Sequence, residues 1–212
     1  MSPEQLVRTA NHLGIKKLVI SDINNTMGIV DAYKYGLEYG IEVVAGIEFR
    51  DASGSFLYLA LAQTNEGFYQ LNEFLTRANL NKKPFPESPS PLPDVVFIYE
   101  FDTKQPKQLL DNEYIGVRPH QINRYRTSHN YSTSSKCLAL YPVTLASGAD
   151  LELHTYLRAI HFNTLITKVD PDTMGRETEV LQPEAHLVEI YNSSPELLEQ
   201  SKTLLEKCSL KF

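Results

Sequence analysis

The order of the apolar segments limits the possible folds of this chain more than any other feature. Lys17-Leu18-Val19-Ile20 reads as a buried strand, Ser21-Asp22-Ile23-Asn24-Asn25 as a polar turn, and Met27 to Tyr39 as a helix stopped by Gly40. Ile41 to Ile47 is then a second apolar strand, and Glu48 closes it. The pattern continues with a strand from Ser55 to Ala62 after a Gly54 turn and a helix from about Glu66 to Ala78. Asn65 is the expected cap of that helix, and Phe68, Leu71, Phe74 and Leu75 form its apolar face. Repeated strand-then-helix order predicts an α/β fold: a parallel sheet with helices outside, as an open doubly wound sheet or a closed barrel.

The flanks fit the same scheme. Ser2, Pro3 and Gln5 form a capping box for an opening helix that carries Leu6, Ala10 and Leu13 and ends at Gly14. Five prolines between Pro84 and Pro93 forbid regular structure and predict an exposed loop. Val95–Tyr99, Tyr114–Val117 and Cys137–Val143 read as strands, with a weak helix over Lys104–Leu110. Pro119 opens a short helix toward Tyr125, and Thr127–Ser135 reads as a polar loop. Leu151–Phe162 and Pro195–Cys208 read as helices.

Composition removes several classes of function. With 42% hydrophobic and 22% charged residues, the chain has ordinary globular usage, far from disordered or collagen-like extremes. No apolar run reaches the ~18–20 residues of a membrane span and no secretion signal opens the chain, so the cytoplasm is the expected compartment. Cys137 and Cys208 are too few and too distant for a disulfide framework or a structural zinc site. A net charge of −6 argues against unaided gripping of nucleic-acid phosphates. Charge is uneven, however. Between Glu113 and Asp150 there is no acid, while Arg118, Arg124, Arg126 and Lys136 fall there, a candidate surface for DNA phosphates or an acidic partner.

In parallel α/β folds, ligand chemistry gathers beyond the C-terminal ends of strands, where Asp22 and Glu48 stand. Two carboxylates at neighbouring strand exits suit a hard metal or an acid/base pair. The alternative is an Asx turn at Asp22 and simple exposure of Glu48. The histidines give no metal-like spacing, and there is no P-loop, G-x-G-x-x-G, G-x-S-x-G or paired-cysteine motif.

Several segments together resemble a known family. Leu18 through Asn25, Gly40-Ile41 leading to Gly46-Ile47-Glu48, Leu61-Ala62 through Asn65-Glu66-Gly67-Phe68 and Leu71, and Asp150 with His154, Leu157 and Ile160 are similar to the PHP (polymerase and histidinol phosphatase) domain of bacterial DNA polymerase III alpha subunits. Pro195-Glu196-Leu197-Leu198 to Glu206-Lys207-Cys208 is similar to the segment where that domain hands over to the polymerase. The resemblance implies a PHP-type distorted (β/α)7 barrel over residues 1–212 as one domain, incomplete at its N-terminus because the strand with the family's His-x-His pair has no counterpart. Helices over 183–208 would lead toward a polymerase domain.

Active members hold metal ions with His, Asp, Glu and sometimes Cys ligands. Here Ile23, Leu57 and Thr144 stand where the family has histidines, and only Asp22 and Glu48 align with ligand positions, as vestigial ones. The resemblance therefore implies a degenerate, non-catalytic domain without a cofactor, a structural and interaction module in DNA replication. Its expected partners are the polymerase domain of the same protein, a proofreading exonuclease subunit, and DNA through the whole polymerase, with no membrane. The alternative is an active zinc- or manganese-dependent phosphoesterase or 3′–5′ exonuclease.

Overall fold

A computed structural model describes residues 1–211. Helix α1, Pro3–His12, carries the expected capping box: Gln5 N donates to Ser2 Oγ at 3.2 Å and Ser2 N to Gln5 Oε1 at 3.1 Å. Strand β1 is Lys17–Ile23, helix α2 Met27–Tyr39, strand β2 Glu42–Arg50 and strand β3 Phe56–Ala62. Gly40 takes the left-handed conformation that ends α2, with φ 68°. Helix α3, Asn65–Leu80, is followed by β4, Val95–Glu100, and β5, Glu113–Val117. The short helices α4, Ile122–Thr127, and α5, His129–Ser132, precede β6, Cys137–Ala139. Helices α6, Leu151–His161, α7, Glu184–Ile190, and α8, Pro195–Glu206, complete the described chain.

The six strands form one sheet in the order β1-β2-β3-β4-β5-β6, curled as an open half-barrel. This is the expected α/β architecture of an incomplete PHP-type barrel. One feature of the parallel prediction is corrected: β3 runs antiparallel to both β2 and β4, while β1–β2, β4–β5 and β5–β6 are parallel. The cause is the turn over Asp51–Ser55, where the Asp51 carboxylate accepts the amides of Ser53 and Ser55, each at 2.9 Å, and Gly54 adopts φ 88°. A parallel return needs a crossover of about a dozen residues, so this short connection makes a hairpin.

Strand alternation sorts the apolar residues onto two faces. Leu18, Val43, Ala45, Ile47, Phe49, Tyr58, Phe97 and Ile115 pack with Val7, Ala10, Ile29, Ala32 and Leu71 of α1 to α3 in the main core. Leu59, Leu61, Val96, Ile98 and Leu138 face the other way and meet Leu204 and Leu205 of α8. Helix α8 also covers the β6 edge, where Ser201 Oγ donates to Ala139 O at 3.0 Å.

Several local expectations change. Thr64, not Asn65, caps α3 by accepting from Gly67 N. The Asn65 side chain instead brackets Lys211, accepting its N–H at 2.9 Å and donating to its carbonyl at 2.5 Å. The proline loop is mostly exposed but pinned by Phe85, whose ring lies 4.9 Å from Phe49 in an edge-on contact. Over Lys104–Leu110 only a three-residue 3₁₀ turn forms, Pro106–Gln108, and it ends at Leu109, whose backbone is extended with φ −76° and ψ 136°. The expected polar loop over Thr127–Ser135 contains α5, whose buried Tyr131 ring lies 4.6 Å from that of Phe101 in a tilted contact. β6 stops at Ala139, four residues early, since Pro142 cannot donate to a ladder. Among the described residues no helix is long and apolar enough to cross a membrane.

Candidate functional site

Asp22 and Glu48 lie inside the last residues of their strands, since β1 runs on to Ile23 through the expected turn and β2 past Glu48 to Arg50, and they lie on opposite faces of the sheet. In the parallel β1–β2 register Asp22 pairs with Ile47 and Ile23 with Glu48. Neighbouring residues of a strand point to opposite sides, so Asp22 shares the face of Ile47 that α1 to α3 cover, while Glu48 shares the face of its partner Leu59, which α8 meets. Asp22 Oδ2 accepts the Gly28 amide at 2.9 Å, and Asn25 Oδ1 accepts those of Thr26 at 2.6 Å and Met27 at 2.9 Å. Together they satisfy the amides at the start of α2 that the helix itself leaves unpaired. Asp22→Ala is therefore expected to cost about 1 kcal/mol of stability, as the loss of a helix cap does, and Asp22→Asn much less. Urea denaturation of both variants checks this, and equal stability of Ala variant and parent would remove the capping role.

Glu48 belongs to a network at the rim. Arg50 Nε donates to Glu48 Oε1 at 2.5 Å and Arg50 Nη1 to Gly54 O at 3.1 Å. Both side chains are largely buried, so this pair is worth more than a solvated surface bridge. Helix α6 lies over the same rim: Phe162, just past its end, abuts Gly54, and Arg158 donates from Nε and Nη2 to Thr173 O at 2.9 and 2.6 Å. Arg158 is close enough to feel the charges of Arg50 and Glu48. His154 of α6 accepts the Gly175 amide through Nε2 at 3.1 Å, which commits that lone pair. Burial, then Arg158, holds its pKa below the ordinary imidazole range, so it is neutral at pH 7.

The exit of β4 repeats the pattern. Glu100 Oε1 lies 3.3 Å from Arg118 Nε and accepts from Gln121 Nε2 at 3.2 Å. Beyond β6, Thr144 Oγ1 donates to Glu179 Oε2 at 2.6 Å. His120 Nε2 sits 3.5 Å from Arg176 Nη2, and burial, then Arg176 and Arg118, depress its pKa. His186 pairs with Glu189 at 3.4 Å on exposed surface. Each rim carboxylate thus faces a guanidinium, an amide or a hydroxyl of the chain itself. Among the described residues no three His, Cys, Asp or Glu side chains come together in a metal-ligating group.

The basic stretch does not form one surface. Arg118 follows the C-terminal end of β5 and Lys136 precedes the N-terminal end of β6, and because these strands are parallel the two lie at opposite rims. Arg124 pairs with Asp102 and lies over the Phe101 ring at 5.7 Å. Lys136 Nζ donates to the carbonyls of Leu110 at 3.2 Å and Asp111 at 2.5 Å. Arg126 is exposed on α4. The acids missing from the stretch come from just upstream, at Glu100 and Asp102. Sequence reasoning passed over Glu100, although it stands at a strand exit just as Glu48 does. His154 was noted only as part of the later helix of the resemblance, and Arg158 and Glu179 had no comparable signal, since only the path of the 144–180 segment brings them to the rim.

Comparison with known proteins agrees with the fold. The PHP domain model matches residues 1–115, and the chain belongs to the PHP domain family. Its sequence is also similar to an error-prone DNA polymerase of Idiomarina loihiensis, 39% identical over 75 residues. Those residues are 35% of this chain and 7% of that relative, so the match spans a small part of the polymerase's length.

Proposed function

We propose that this chain acts as a non-catalytic PHP domain, a structural and interaction module of a bacterial DNA polymerase III alpha-type enzyme in DNA replication. The observation that carries the reading is the rim itself: Glu48 and Glu100, at the exits of β2 and β4, are bound by Arg50 and Arg118 of the same chain. A guanidinium in that position supplies positive charge but cannot, as a metal ion does, lower the pKa of a bound water to make a nucleophile, so on this reading the carboxylates stabilise the barrel mouth instead of organising metal chemistry. The partners this reading implies are the polymerase body of the same protein, a proofreading exonuclease subunit, and DNA through the assembled enzyme, in the cytoplasm.

Elemental analysis of the purified chain, paired with a phosphodiesterase assay in zinc and manganese, tests the reading. The expected result is no stoichiometric metal and no hydrolysis above buffer. Stoichiometric metal, lost together with hydrolysis on Glu48→Ala, would replace it with an active metal-dependent phosphoesterase or 3′–5′ exonuclease.

A further inference from the structure

At the rim opposite the carboxylates, α8 and the starts of β5 and β6 enclose a cleft of about 180 Å³ lined by Tyr114, Ser135, Lys136, Gln200, Thr203, Leu204 and Lys207. Gln200, Thr203, Leu204 and Lys207 recur at helical spacing, so they form one stripe of α8 and its cap facing the strand ends. No carboxylate lines the cleft. Two ammonium groups, two aliphatic hydroxyls, a phenol and a carboxamide are its polar groups, and all of them can donate hydrogen bonds. We infer that this cleft is a binding site for a phosphate group, with Lys136 and Lys207 supplying the charge and Ser135, Thr203 and Gln200 the neutral donors.

Lys136 is held for the role by its surroundings. Its ammonium has three donors, of which two are given to the carbonyls of Leu110 and Asp111, and it lies 4.8 Å from the centre of the Tyr114 ring. The third donor remains for a ligand. Lys207 is exposed and forms no ion pair among the described residues. Burial lowers the Lys136 pKa against the opposing pull of Asp111 and Glu113, and Lys207 adds a smaller like-charge repulsion. A bound dianion would relieve that repulsion.

The nearby acids leave the cleft free for an anion. Glu113 is buried and occupied by Tyr99, Lys104 and the Leu110 amide. Asp111, Glu199 and Glu206 do not line the cleft. The negative end of α8 is partly neutralised, because Leu204 O accepts from Lys207 N and Leu205 O from Cys208 N. The cleft is open to solvent on one side and has room for a phosphoryl group. The phosphate therefore belongs either to a small anion or to a nucleic-acid backbone that lays one phosphate into the cleft. The inference stands apart from the carboxylate rim and holds whether or not that rim is catalytic.

The test is ¹H–¹⁵N NMR titration of the 212-residue chain with inorganic phosphate and, separately, with a single-stranded oligodeoxynucleotide lacking terminal phosphates. Saturable shifts confined to the amides of Ser135, Lys136, Thr203 and Lys207 are expected. Affinity should fall about tenfold in Lys207→Gln and further in Lys136→Gln/Lys207→Gln, as expected for loss of charged contacts. Lys202→Gln, at a lysine paired with Glu184 outside the cleft, should match the parent. Binding of phosphate alone assigns the site to a small anion, and competition by the oligonucleotide assigns it to a nucleic-acid backbone. The inference is overturned by the absence of cleft shifts with both probes, by a Lys207→Gln chain that binds as the parent does, or by stronger cleft binding of a poly-glutamate peptide than of either probe. Lys207→Gln lies on exposed surface, so a fold lost in the double variant would still leave a decisive measurement.

Discussion

Replacement of Glu113 by alanine is expected to lower stability by about 3 kcal/mol, because it breaks a buried ion pair and strands a buried hydroxyl. Glu113 is only 3% exposed. One carboxylate oxygen accepts from Tyr99 Oη at 2.8 Å and Lys104 Nζ at 2.9 Å, and the other from the Leu110 amide at 2.9 Å. With the carboxylate gone, the buried Tyr99 hydroxyl loses its acceptor, and Lys104, whose side chain is 21% exposed, loses its counterion. For a chain of this length the midpoint of thermal unfolding should fall by about 6–12 °C.

The same group gives a pH dependence. Burial raises the Glu113 pKa, but the Leu110 amide, Lys104 and Tyr99 together outweigh it and hold the pKa below the usual carboxylate value. A carboxylate whose pKa is depressed on folding contributes stability that is fully present above its unfolded pKa of about 4.3 and is lost as pH falls through the folded value. Urea unfolding of parent and Glu113→Gln between pH 3 and pH 7 should converge toward the acid end. A constant difference across that range would show that the carboxylate contributes shape and not charge.

Gly67→Ala is expected to destabilise by about 3 kcal/mol, with the opposite sign to helix propensity. In an exposed helix, glycine-to-alanine gains up to about 1 kcal/mol. Gly67 is buried in the first turn of α3, and an added Cβ would lie 2.1 Å from Asp94 O and 2.9 Å from its carbonyl carbon. Both atoms belong to backbone that cannot rotate away, and Asp94 O is already fixed by accepting from Gln63 N at 2.8 Å. The α3 turn or the entry to β4 must shift. Differential scanning calorimetry decides it, and a raised midpoint would mean that the contact relaxes at little cost.

Local chemistry alone determined a good part of this protein. The capping box of α1, the stop of α2 at Gly40 and the apolar runs of β1 to β4 depend on neighbours within a few residues, so each is legible in order along the chain. The motifs around Asp22, Glu48 and Gly67 pointed to the PHP family for the same reason. Tertiary structure decided the relations between those pieces. The direction of β3 followed from a turn too short for a crossover, and the separation of Asp22 from Glu48 followed from a register that sequence spacing does not encode. Side-chain period in a strand is two residues, so one step of register exchanges the face that α1 to α3 cover for the one that α8 meets, and two carboxylates at neighbouring exits can equally converge or diverge. The rim network was decided in the same way: Arg158, His154 and Glu179 reach it only because the 144–180 segment folds back across the barrel mouth, a long-range arrangement set by packing.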